Sequence, residues 1–95
     1  MTEGARADLI AIGDYIAQDN PLRALSFVDE LEIRCTALGD SPHAYALLPN
    51  RKASGIRRAV HGRYGIFYIV RPQAVYVLHV LNSSMDYEAV LFPES

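Results

Sequence analysis

No Asp or Glu lies between Asp40 and Asp86, yet that stretch holds Arg51, Lys52, Arg57, Arg58, Arg63 and Arg71, six of the nine basic residues. Residues 1–40 run the other way: eight acids stand against Arg6, Arg23 and Arg34, a formal charge of −5. The tail adds Asp86, Glu88 and Glu94, and the whole chain carries −2. A sign split of this size inside a short chain speaks about partners more than about fold, and it predicts a face that meets something anionic. The other reactive side chains are sparser. His43 and His61 fall in a loop and a turn, with no cysteine or carboxylate at ligand spacing, so no metal is expected. Cys35 is alone, which excludes an internal disulfide and the spacing of a zinc site. Its place on a helical apolar stripe makes it a small core residue, because nothing near it in sequence would lower its pKa. His79 sits inside an apolar strand, the setting of a hydrogen-bonded core or interface histidine.

The elements that must position these residues are legible from periodicity. Leu9, Ile12, Gly13 and Ile16 recur at helical spacing, with Ile10 widening the stripe, so a first helix is expected over about Thr2–Gln18. Asn20-Pro21 then joins an N-capping amide to a proline at the first helical position. Ala24, Val28, Leu31, Cys35 and Leu38 carry a second helix to about Leu38, with Gly39 expected as a left-handed cap. Only Asp19 and Asn20 separate the two, so they fold back as an antiparallel hairpin. Asp40-Ser41-Pro42, Pro49-Asn50 and Gly55 keep residues 40–55 irregular, while Tyr45, Leu47 and Leu48 can pin that loop to a core.

From Ile56 the period changes to two. Ile56–Val60, Tyr64–Val70 and Ala74–Leu81 are β-branched and aromatic runs joined by His61-Gly62-Arg63 and Arg71-Pro72-Gln73, which gives three antiparallel strands. Ser83 or Ser84 could cap a short last helix through Asp86–Val90. The fold class is therefore α+β, a helical hairpin packed on a three-stranded antiparallel sheet, in a single domain over residues 1–95. Strands two and three are apolar on both alternating faces, so one face is left for the 40–55 loop, the C-terminal segment or another chain to cover, and a partner is implied. Arg57 and Arg58 are adjacent on one strand and point to opposite faces. At most one can line a given groove, and the other is expected to pair with a helix carboxylate such as Asp14 or to lay its stem on apolar surface. Arg63 reads as a solvated turn residue, and Tyr64 and Tyr68 as aromatics at the edge of the core. The N-terminus has no signal-peptide pattern and no apolar run is long enough to span a membrane, so a cytoplasmic protein is expected.

In this order, Ala7-Asp8-Leu9-Ile10-Ala11-Ile12-Gly13-Asp14-Tyr15-Ile16-Ala17, Asn20-Pro21 with Ala24, Leu38 and Pro42, Gly55-Ile56-Arg57-Arg58, Tyr64-Gly65-Ile66-Phe67-Tyr68 and Val77-Leu78-His79-Val80 resemble bacterial toxins of the RelE/ParE superfamily. The resemblance spans nearly the whole chain. It implies a small toxin of a type II toxin-antitoxin pair, neutralised by a ribbon-helix-helix, DNA-binding antitoxin whose acidic C-terminal tail wraps around it in a hetero-oligomer. Two features depart from the pattern. Such toxins usually open with a short strand, which here looks missing or truncated because Met1 directly precedes Thr2-Glu3-Gly4, and they are commonly basic overall.

The superfamily divides into ParE-like members, which poison DNA gyrase, and RelE-like members, which cut messenger RNA on the ribosome. RNA cleavage needs groups that activate the 2′-hydroxyl, protonate the leaving oxygen and stabilise the phosphorane, all converging on one groove. Under that reading this chain would offer Arg57 or Arg58 for charge and His79 or Tyr87 for proton transfer, with Arg58, His79 and Tyr87 as the candidate set. The set is thin, and Asn82-Ser83-Ser84-Met85, where RelE-like enzymes usually place a basic residue, has no charge. The ParE-like reading is therefore preferred: no catalytic site, no cofactor, and a binding set of Arg51, Lys52, Arg57, Arg58, Arg63 and Tyr64 for antitoxin or target. A non-catalytic interaction module shares the same two-faced sheet. Direct DNA binding is not expected, since both long helices are net acidic.

Overall fold

Two side-chain caps start the long helices of this computed structural model, which describes residues 1–94. Thr2 accepts a hydrogen bond from the Ala5 N–H at 3.2 Å and opens α1, Glu3–Ala17. Asn20 accepts from the Arg23 N–H at 3.0 Å, and Pro21 begins α2, Pro21–Ala37. The end of α2 differs from expectation, for Gly39 has no positive φ; the glycines that do are Gly55 and Gly62. Leu38, Gly39 and Asp40 instead donate to Cys35, Thr36 and Ala37, each three residues back, so the helix winds down through tightened turns that satisfy its last carbonyls without a left-handed residue.

The sheet follows as β1 (Ile56–His61), β2 (Tyr64–Arg71) and β3 (Ala74–Asn82), all antiparallel, with β2 in the centre. Gly62-Arg63 is a two-residue turn, and Gly62 supplies φ 61°, which a side chain would resist. A bulge interrupts β3: Phe67 faces His79 and Tyr68 faces Val77, leaving Leu78 without a partner across the strand. Residues 40–55 are mostly irregular, with one turn of 3-10 helix at Lys52–Ser54 and a single bridge from Leu47 to Arg57. The last helix, α3, spans Tyr87–Leu91. Its cap is Asp86, accepting from Glu88 and Ala89, rather than Ser83 or Ser84, since Asn82 already holds the Ser84 N–H in a turn of its own.

Two apolar layers flank the sheet. On one face Leu9 and Ile12 of α1, Leu31 and Cys35 of α2 and Leu38 just after it pack on Ala59, Ile66, Tyr68, Val77 and Val80. On the other, Phe67, Ile56, Leu81 and Leu48 are covered by Tyr87, Val90, Leu91 and Phe92. The chain thus covers its second sheet face largely by itself, with the loop residue Leu48 and the C-terminal segment. The expectation that the sheet requires a partner is corrected accordingly. The most exposed large apolar residues lie on the hairpin, where Ile10, Leu22, Leu25 and Ile33 are 61% to 80% accessible.

Both outer edges of the sheet are also occupied by the chain itself. Along β1, the Leu48 N–H donates to Ile56 O at 2.9 Å, the Arg58 N–H to Ala46 O at 3.3 Å, and Arg34 Nη2 to Val60 O at 2.8 Å. Along β3, no strand precedes α1; the Thr2 N–H and hydroxyl both donate to Val77 O, at 3.1 and 2.7 Å. One turn further on, Asp8 Oδ2 accepts the Val80 N–H and lies 2.8 Å from His79 Nδ1. Gly4 makes this approach possible, because a Cβ there would stand 3.1 Å from both His79 Cε1 and Leu78 O. Asp8→Ala would strip the acceptor from a strand N–H and from His79 together. A loss of about 2 kcal/mol is expected, read as a lower urea midpoint at unchanged m-value.

Candidate functional site

The six cations of the acid-free stretch do not act as a group. Arg51 is turned inward: its Nη2 is 2.9 Å and its Nε 3.0 Å from Glu88 Oε2, and its guanidinium lies 4.1 Å from the centre of the Phe92 ring. It fastens α3 to the loop before the sheet. Arg57 donates from Nη1 to Tyr45 O at 2.6 Å, so its partner is a loop carbonyl and not the Asp14 carboxylate that adjacency on the strand suggested. Lys52 is exposed on the 3-10 turn. Arg71 sits at the far hairpin end and, among the described residues, reaches only its neighbour's carbonyl, Val70 O at 3.2 Å.

Arg58 and Arg63 are different. Arg58 leaves β1 on the face opposite Arg57 and places its guanidinium 5.7 Å from the Tyr87 ring centre. Arg63 projects from the Gly62 turn, which is held to the segment after β3 by the Ser83 N–H donating to Arg63 O at 2.6 Å. With Tyr64, Phe67, Met85 and Tyr87 they line an open cleft of about 330 Å³. Tyr64 is half-buried, its ring 5.4 Å from Phe27 of α2, and Tyr87 packs 5.2 Å from Phe67. Of the candidate catalytic set, then, Arg58 and Tyr87 share this cleft. His79 does not line it; beside the bulge its ring turns to Asp8 on α1.

A second and larger concavity runs along the outside of the hairpin, about 1030 Å³, floored by Leu9, Gly13 and Ala24 and walled by Ile10, Leu25 and Val28. Its rim carries Asp14, Asp29 and Glu32 with Arg6. The helices can lie close here because Gly13 presents no side chain; a Cβ there would meet Val28 Cγ2 at 3.2 Å.

Several polar contacts join distant parts of the chain and were missed from sequence. Arg34 reaches from α2 to the Tyr45 hydroxyl at 3.2 Å as well as to Val60 O, while its Nε is buried without a partner. Glu30 bridges Arg23 and His61, the latter at 3.1 Å. Those two contacts, Arg23 first, hold its carboxyl below the usual carboxylate range. A signal existed only for the first pair: Arg23 and Glu30 are two helical turns apart and therefore on one face. Among the described residues, no three His, Cys, Asp or Glu side chains converge as metal ligands would, and no helix is long and apolar enough to cross a membrane.

The description "ParE toxin of type II toxin-antitoxin system, parDE" belongs to a family model that matches residues 1–87. This chain belongs to that family. The toxin is thus a member of the RelE/ParE superfamily and a component of a type II toxin-antitoxin pair, which implies an antitoxin as partner. A search of curated proteins gave no match. The hairpin-and-sheet architecture is the one that the resemblance implied, with Thr2 and Asp8 bonded along β3.

Burial pushes the Cys35 thiol up to about 11. The sign follows: a neutral thiol favours the folded toxin, so this contribution is intact below the ordinary 9.0 and is lost as pH rises from there toward about 11. Iodoacetamide at pH 8 should leave Cys35 unmodified in the folded toxin and alkylate it in urea, as mass spectrometry would read. Arg51→Ala should loosen α3 and cost about 1 kcal/mol, with faster hydrogen exchange at Ala89–Phe92. Lys52→Ala, one residue away, should change neither.

Proposed function

We propose that this toxin stops bacterial growth by binding and poisoning DNA gyrase, without catalysis of its own, and that a cognate antitoxin neutralises it. The observation that carries this reading is the position of His79. Proton transfer requires the acid or base within hydrogen-bond reach of the reacting group, and the His79 ring is engaged with Asp8 on α1 while Arg58 and Tyr87 line the cleft on the other sheet face. The one carboxylate in that lining, Asp86, caps α3, its Oδ1 accepting from the Glu88 and Ala89 N–H groups. A binding protein needs surfaces instead, and the hairpin groove is one: it is apolar, long and bordered by exposed Ile10 and Leu25.

The antitoxin we envisage has a ribbon-helix-helix domain and a tail that lies along the hairpin. Strand addition is disfavoured at the middle of either sheet edge, where the toxin's own groups already take the hydrogen bonds. Helix-in-groove binding is therefore the supported mode. The second reading, ribosome-dependent RNA cleavage, has one observation in its favour, the shared position of Arg58 and Tyr87.

One purified sample distinguishes the readings. It should inhibit gyrase supercoiling and leave messenger RNA on programmed ribosomes intact; RNA cleavage with unaffected gyrase would reverse the order. His79→Gln should keep growth inhibition within a few-fold of the parent, since a glutamine can still donate to Asp8. Loss of toxicity in a folded His79→Gln protein would favour the nuclease.

A further inference from the structure

The acid-free half of the toxin uses most of its cations internally or far from one another, and what remains is a pair. Arg58 and Arg63 line one cleft, and among the described residues neither forms an ion pair. The carboxylate nearest them in the lining is Asp86, whose Oδ1 is already accepting from the Glu88 and Ala89 N–H groups at the start of α3. Two guanidinium groups thus face a space whose one carboxylate is engaged at the α3 cap and forms an ion pair with neither of them. Val60 and Met85, 55% and 49% accessible, border the same space and leave apolar surface beside the charges.

We propose that this cleft receives the carboxylate side chains of an acidic, apolar segment of the antitoxin. The inference rests on the neutralisation reading above and adds where, and with what chemistry, the tail ends. Charge decides between the toxin's two concavities. The hairpin groove is rimmed by Asp14, Asp29 and Glu32 against a single cation, Arg6, and this net negative rim disfavours an acidic stretch and favours an apolar or basic antitoxin segment. Its acids belong at Arg58 and Arg63, where guanidinium forks match carboxylates and an aromatic wall excludes water from one side. Arg51 and Arg57 contribute nothing to this contact, since Glu88 and the Tyr45 carbonyl hold them. A nucleic acid is a poor occupant: its affinity scales with the number of phosphates neutralised, and two cations on a chain of charge −2 neutralise too few.

The test uses the folded toxin and three probes: a short peptide of alternating leucine and glutamate, its leucine-lysine counterpart, and oligouridylate of similar length. The acidic peptide alone should bind, shifting the backbone amide resonances of Arg58, Arg63 and Tyr87. Its affinity should fall about tenfold or more in Arg58→Gln/Arg63→Gln, a variant that removes charge without reversing it, and stay unchanged in Arg71→Gln at the far hairpin end. No binding, equal binding to the double variant, or tighter binding of oligouridylate would overturn the proposal. The product of the reading frame adjacent to the toxin's, as the candidate antitoxin, is then co-purified with each form. A complex that forms with the parent and keeps its affinity in the double variant sinks the cleft assignment and leaves neutralisation standing. If the parent forms no complex, the neutralisation reading fails, and with it the antitoxin as occupant of the cleft.

Discussion

The central strand has to be dry on both sides. Ile66 and Tyr68 face one way and Phe67 the other, each 2% accessible or less, and three consecutive buried residues on β2 oblige the chain to supply two covers. A sheet of three strands has no spare width, so each cover must be large. The hairpin provides one with seventeen- and fifteen-residue helices. The other is assembled from small pieces, Leu48 and the Tyr87–Phe92 segment, and is clamped by Arg51 across to Glu88 and Phe92. Tyr68 shows what complete enclosure demands of a polar group: its hydroxyl donates to Pro42 O at 2.8 Å, and burial pushes its pKa up.

This asymmetry arranges the rest of the surface. The stronger cover leaves its own outer side apolar, because a hairpin two helices wide cannot turn every leucine inward. The weaker cover leaves an opening between the Gly62 turn and α3, and charges that would be costly to bury sit at its mouth. The acidic groove and the cationic cleft are thus on opposite sides of the sheet. The sign split of the sequence survives in the fold as two separate places of opposite charge.

Much of this was legible before any coordinates. The Asn20-Pro21 start, the hairpin, the three strands and the opposite directions of Arg57 and Arg58 follow from local chemistry and period, and each appears as expected. What was not legible involved a choice between local possibilities or a contact across the chain. Gly39 could have been a left-handed cap, but backward hydrogen bonds served equally well. Asp86 and Ser84 were both competent to cap, and the Asn82 turn decided between them. The partners of Arg51 and Arg57 lie 37 and 12 residues away, and those of Arg34 and Asp8 lie on strands, distances over which spacing carries no information. For the same reason His79 could be placed on a strand from sequence but not excluded from the cleft; that needed the bulge.

The closed sheet edges have a consequence for how such a protein behaves in a crowd of its own copies. An open edge strand is a template on which identical chains can polymerise. Here the loop at Ala46–Leu48 and the guanidinium of Arg34 occupy one edge, and Thr2 and Asp8 occupy the other. Newly made molecules therefore have little means of zipping together through their backbones. Resistance to that kind of self-association thus rests in part on a residue as small as Thr2.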